Sequence, residues 1–350
     1  MNRQFFVKIF ASAAYYLRLW PLLYALYPVF RRKRLLIVMT FHRIVPQSKT
    51  TVFMTNYDRG MDSVQYESLL RQLKRYFDFI SLDDFIRYVK GEVKPAKHCA
   101  LLTFDDADHD LVEFAVPILV QNNWPAVIFA PTAYIGTDNR FWHLKLTDMM
   151  SKIDDSQWQN LQSNKQVFPA ELRFVLDKHK TFDESARQSI GREVIYSMSG
   201  LPDDKINEVV EKLLTIVEVQ YSLDVRCMDW PQLGELEKNG VSIESHTVSH
   251  RKLEFLSDKE AFSELTDSRF AIEGNLKKTV RAFCYPAGSY NERTPKLVCE
   301  AGYDVAFTSR FGKIHYPLKD LGLFKLPRMS LSGNKRANID FEIGKLLFRG

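Results

Sequence analysis

Seven short apolar runs punctuate this chain, at residues 35–41, 99–105, 126–130, 241–245, 280–285, 304–308 and 323–326, and helical patterns lie between them. The run ending in Leu101-Leu102-Thr103-Phe104 is almost wholly apolar, as a strand buried on both faces must be. Strands that alternate with helices build a parallel sheet with helices packed on it. The expectation is an α/β fold, an incomplete, distorted parallel β/α barrel of about seven strands.

At 350 residues, 45% apolar and 26% charged, the chain has ample material for a barrel with an insertion or a small extra domain. The excess falls at about 141–227, which reads as helices without a strand signal. Pro202-Asp203-Asp204 opens the clearest of them, with Ile206, Val209, Val210, Leu213, Leu214 and Val217 at helical steps. Asp229-Trp230-Pro231 starts another, with an acid N-cap and proline just inside. Residues 257–276 form a third, amphipathic one.

Two clusters carry chemistry. Asp105-Asp106 ends the second run, and His246, followed by His250, ends the fourth. Alone, each has a plain reading: acids in a solvated turn, or two surface histidines. Both, however, fall just past the carboxyl end of a strand, where barrels and open sheets place their sites. One aspartate and two histidines make a three-ligand site for a divalent metal with positions left open, and the second aspartate is then free to act as a base toward water.

These residues resemble the motifs of the NodB-type polysaccharide deacetylases. Thr103-Phe104-Asp105-Asp106-Ala107 is similar to the first motif, T-F-D-D-G. His246-Thr247-Val248-Ser249-His250 is similar to the second, H-[ST]-x-x-H. Phe283-Cys284-Tyr285-Pro286-Ala287-Gly288 is similar to the third, an aromatic strand with proline and glycine. The resemblance runs from about residue 35 to 331 and implies a distorted β/α barrel. It implies that Asp106, His246 and His250 hold one divalent metal, with zinc expected and cobalt or nickel as alternatives. It implies that Asp105 is the general base and that the Ala287 N–H steadies the oxyanion. Tyr285 and Trp142 become substrate-binding candidates, Trp142 by stacking on a sugar or else by anchoring the insertion, which would form a lid or wall.

The departures are specific. Ala107 stands where the family has glycine, and Cys284 where many members carry the arginine that orients the base. Arg328, in Leu326-Pro327-Arg328-Met329, is the candidate replacement and is also readable as a surface charge. The late Leu-x-His motif that supplies a general acid has no histidine here. His42, after the first strand in a Thr-Phe-His-Arg context, is the candidate catalytic histidine on the same rim, whereas His315 reads as an exposed loop residue.

The first 57 residues hold nine Lys/Arg and no acid, against a net charge of +5 for the whole chain, and the first thirty contain nine aromatics. On a helix, Phe5, Phe6, Ile9, Phe10, Ala13, Leu17 and Trp20 cover one wide face opposite Lys8 and Arg18, a pattern suited to a membrane interface. Arg18 and Pro21 count against a single spanning helix, although single-pass anchoring stays open, and Lys8 argues against a cleaved signal. The continuous apolar face favours lipid over nucleic acid. Four cysteines without C-x-x-C spacing read as free thiols.

The expectation is two parts. Residues 1–34 form a membrane-associating segment, peripheral at the cytoplasmic face. Residues 35–350 form a deacetylase-like catalytic domain with the insertion at about 141–227. The function expected is metal-dependent N-deacetylation of an N-acetylated oligo- or polysaccharide, or of a lipid-linked glycan of the cell envelope. The alternative is an impaired, metal-containing carbohydrate-binding or glycan-assembly accessory protein.

Overall fold

The computed structural model describes residues 34–46, 60–198, 200–220, 225–314, 317–318 and 320–330. Residues 1–33 of the basic aromatic segment, and His315, lie outside the described residues.

Seven parallel strands form the main sheet: β1 (Leu36–Phe41), β2 (Cys99–Phe104), β3 (Ala126–Ala130), β4 (Val241–Ser245), β5 (Ala282–Cys284), β6 (Val305–Phe307) and β7 (Met329–Ser330). Their order is β7–β1–β2–β3–β4–β5–β6, and a short strand, Asp78–Phe79, pairs beside the start of β2. Leu326 bridges to Phe307 in β6, and three residues later Met329 pairs with Met39 in β1. The segment between them touches both edges of the sheet, so the barrel is distorted and its seam is a single bridge wide.

This corrects the seventh run. Residues 320–324 form a turn of 3-10 helix, and the paired strand begins only at Met329, beyond Pro327. Proline has no N–H to give a ladder, which delays pairing until the chain has passed it.

The barrel interior is apolar. Phe129 of β3 and Phe307 of β6, three places apart in the sheet, bring their rings to 5.5 Å across it. Helix α1 (Leu82–Lys90) plugs the amino-terminal mouth, with Leu82, Phe85, Ile86 and Val89 buried against Val38, Leu101 and Val305. Each such side chain contributes on the order of 2 kcal/mol by leaving water. Ser81 caps its start by accepting the Asp84 N–H, and Gly91 ends it at φ +76°, a left-handed conformation glycine adopts freely. Ion pairs Lys90–Asp304 and Arg281–Asp83 tie α1 to the entrances of β6 and β5. With that mouth closed, the carboxyl end is the open one.

The stretch after β3 is helical: α2 (Trp142–Lys152), α3 (Asp155–Ser163), α4 (Ala170–Lys178), α5 (Glu184–Met198) and α6 (Asp203–Val217). These helices share a separate apolar core in which Trp158 is fully buried and stacked on Phe182. Ile206, Val209, Val210, Leu213 and Val217 are buried there, as the helical spacing requires. Two further helices frame the site, α7 (Trp230–Lys238) and α8 (Asp258–Leu276). Both start with a reciprocal capping box, Asp229 with Gln232 and Ser257 with Glu260.

Candidate metal and active site

Strand register sets the site. Phe41 pairs with Phe104, Phe104 with Ile128 and Ile128 with Ile243, so His42 and Asp105 leave the sheet at one level and His246 two residues further along its strand, all at the carboxyl end. Asp105 still donates its N–H to the Phe41 carbonyl at 3.0 Å, which keeps it in the strand's alternation. Thr103 and Asp105 therefore point into the barrel mouth. Asp106 breaks the pattern at φ +71°, and Ala107 follows at +51°. Ala107 thus holds the left-handed backbone that glycine would take easily, at a cost of about 1 kcal/mol or more. The Cys227 thiol donates to the Asp106 carbonyl, and the Met228 N–H to that of Ala107. Arg43, paired with Asp108 and Asp110, braces the turn from below.

The reversal aims the Asp106 carboxylate at two imidazoles. Its Oδ1 lies 3.6 Å from His246 Nε2 and 3.3 Å from His250 Nε2. That Oδ1 is buried and lacks a hydrogen-bond partner among the described residues. An orphaned carboxylate oxygen is costly unless something positive sits against it. Ligand atoms around a tetrahedral zinc stand roughly 3.3 Å apart, so the spacing fits a metal ion. His246 Nδ1 lies 2.8 Å from the Cys284 carbonyl. A carbonyl can only accept, so Nδ1 carries the proton and Nε2 presents a lone pair to the metal position. Burial lowers the His246 pKa to about 4, which keeps the ring neutral. Burial alone would raise Asp106, but His250 and the neighbouring imidazoles outweigh it and hold the carboxyl well below the carboxylate range. His250 itself adopts φ +61° and meets the Phe141 ring edge-on at 5.0 Å.

Asp105 faces a different partner. Arg328 donates from Nη1 to Oδ1 at 2.7 Å and from Nη2 to Oδ2 at 2.6 Å, a two-pronged pair. Its Nε donates to the Thr308 carbonyl, and the guanidinium lies over the Phe129 ring. Arg328 is 3% exposed, so the surface-charge reading does not describe it. Cys284 places its thiol 3.7 Å from Asp105 Oδ2, and His42 places Nε2 3.8 Å from the same oxygen. Burial would push Asp105 up, and the Arg328 charge more than reverses that, leaving it ionised at neutral pH.

Two residues fall elsewhere than a substrate-binding role suggests. Tyr285 is fully buried in the outer core, its hydroxyl donating to the Phe324 carbonyl at 3.1 Å. Cys284 points inward, so strand alternation turns Tyr285 away from the mouth, and its side chain contacts no substrate from there. Trp142 packs on the core of the inserted helices, the anchoring role. Its neighbour His143 turns toward the site, 6.2 Å between ring centres from His250 and stacked on Phe141. In the sequence His143 carries little signal beyond its position one residue past a helix start, beside the aromatic pair. Ala287 is exposed on the rim at φ +54°.

Comparison with known proteins finds polysaccharide deacetylases. The family model for polysaccharide deacetylases matches residues 203–306, which include both histidines and the third motif. YxkH of Bacillus subtilis, a polysaccharide deacetylase by name, is 33% identical over 101 residues, which are 29% of this chain and 35% of that protein. The poly-β-1,6-N-acetyl-D-glucosamine N-deacetylase of Staphylococcus aureus is 37% identical over 89 residues, 25% of this chain and 29% of that protein. The matched segments thus span about a third of the relatives' length. Among solved structures, the Streptococcus pyogenes deacetylase PplD superposes with a TM-score of 0.53 at 17% identity, over 85% of this chain and 92% of that one. IcaB from Ammonifex degensii does so at 0.54 and 13% identity, over 90% and 97%. At these identities the likeness is one of fold.

Proposed function

We propose that this chain, which belongs to the polysaccharide deacetylase family, hydrolyses the N-acetyl amide of an N-acetylated glycan with the help of one divalent metal ion, zinc in the first instance. One observation carries the reading: an Arg328-held carboxylate, Asp105, stands directly beside the Asp106, His246 and His250 triad. A binding module has no use for a buried, oriented base at its metal.

Asp106, His246 and His250 would hold the ion, which when bound supplies an acidified water and a Lewis acid for the amide carbonyl. Asp105 takes the proton from the attacking water. Arg328 occupies one lone pair on each carboxylate oxygen and leaves another free to accept it. His42, 3.8 Å from the same carboxylate, would pass a proton to the departing amine. The Ala287 N–H, on the exposed rim, would steady the developing oxyanion. The C–N bond breaks, and acetate and a free amino sugar leave. The Staphylococcus aureus relative's name makes poly-N-acetylglucosamine the first substrate to try.

The test is acetate release from N-acetylglucosamine oligomers by zinc- or cobalt-loaded protein, beside Asp105→Asn. Release that falls at least 100-fold in the variant supports the hydrolase. A loaded, folded protein that releases nothing from any N-acetylated acceptor overturns it.

A further inference from the structure

The loop between the two site histidines is bent twice into the left-handed region, at Thr247 (φ +69°) and His250 (φ +61°), with no glycine to ease either turn. Such a loop keeps its shape only if its surroundings over-determine it. On one side its carbonyls are tied to the exit of β3: Thr132 donates its N–H to the Thr247 carbonyl at 3.2 Å, and Ala133 to that of Val248 at 2.8 Å. On the other side a single carboxylate collects the donors. Glu264 of α8 accepts the N–H of Val248 at 2.8 Å and of Ser249 at 2.9 Å on Oε2, and the Ser249 hydroxyl at 2.5 Å on Oε1.

We propose that Glu264 is a positioning residue for the metal site, setting the affinity for the ion by locking the 247–249 loop so that His246 and His250 keep their common focus. Glu264 touches neither histidine ring. Its effect travels through three hydrogen bonds to the backbone and side chain of the residues between them. His246 is also fixed by strand β4 and by the Cys284 carbonyl. His250 lies beyond the loop, so Glu264 acts chiefly on the placement of its ring. The inference rests on the metal-site reading above. Outer partners of metal ligands alter affinity by roughly 10–100-fold when removed, which sets the expected scale.

The experiment measures zinc and cobalt affinity by competition with a chromophoric chelator for the wild type, Glu264→Gln, Glu264→Ala and Glu260→Ala, with amide hydrogen exchange at Val248 and Ser249 in the metal-free proteins. Glu260→Ala breaks the α8 capping box and a 3.9 Å ion pair with Arg251 but none of the hydrogen bonds to residues 247–249, so it reports what weakening the helix start does. The expected result is an affinity loss of roughly 10–100-fold in Glu264→Ala and a smaller one in Glu264→Gln, which keeps one carbonyl acceptor. Glu260→Ala should stay near wild type. Exchange at the two amides should quicken in both Glu264 variants, and Glu264→Gln carries the test if the alanine variant does not fold. Unchanged affinity in the Glu264 variants, or an equal loss in Glu260→Ala, overturns the proposal while leaving the metal site standing. A wild type that binds neither metal overturns both.

Discussion

Arg328 and Asp105, 223 positions apart in the chain, meet in the barrel mouth through two parallel N–H to oxygen hydrogen bonds of 2.7 and 2.6 Å. The arginine comes from the segment that seams the sheet, so the same residues that join β6 to β1 also hold the base.

Arg328→Met should therefore injure both stability and chemistry. Removing one member of a buried ion pair costs about 3–5 kcal/mol. In the wild type the Asp105 pKa is depressed, so its contribution to stability is complete above the unfolded carboxylate range and fades as pH falls through the folded value. Without the guanidinium, burial raises that pKa and the sign reverses: the ionised carboxylate destabilises at neutral pH, and acid relieves it. The acidic limb of kcat/KM should move to higher pH, and the rate at neutral pH should fall roughly 100-fold, the scale of a lost acid–base contribution. A pH profile with urea melts at two pH values checks both.

Metal should stabilise the folded chain. Zinc at a hundredfold excess over its Kd adds about 2.7 kcal/mol to a protein that binds it only when folded. Asp106→Ala removes the shared oxygen and should abolish that gain, leaving melting insensitive to zinc and to chelator. A differential thermal scan with and without zinc measures it.

Cysteine reactivity should single out one thiol. Cys99, Cys227 and Cys284 are buried, and Cys299 is exposed. Burial pushes the Cys99 pKa up to about 12 and raises Cys227 and Cys284 as well, so none of the three presents thiolate at pH 8. Iodoacetamide on native protein at that pH should modify Cys299 alone, and all four after denaturation, as read by peptide mass spectrometry.

Among the described residues no helix is long and apolar enough to cross a membrane. We expect the basic aromatic segment 1–34 to bind anionic vesicles through its aromatic and basic side chains. Flotation should need that segment and weaken as salt rises. Equal flotation of a chain starting at residue 35 would remove the segment from that role.

Much of this was legible in one dimension because the relevant physics is local. An apolar run of the right length makes a strand, a capping box starts a helix, and Asp105-Asp106 and His246 must emerge where their strands end. Those patterns determined the class of fold, the inserted helices and the triad. The rest depended on long-range placement. Strand alternation sent Tyr285 into the outer core, and Pro327 moved the last strand along to Met329. One step around a helix start gave Trp142 to the inserted core and His143 to the site. The fates of Arg328 and Glu264 were the least legible, because a charge shows nothing of its partner until the chain has closed. Only the tertiary structure decided that one holds the base and the other the loop between the histidines, since burial makes each of those hydrogen bonds count.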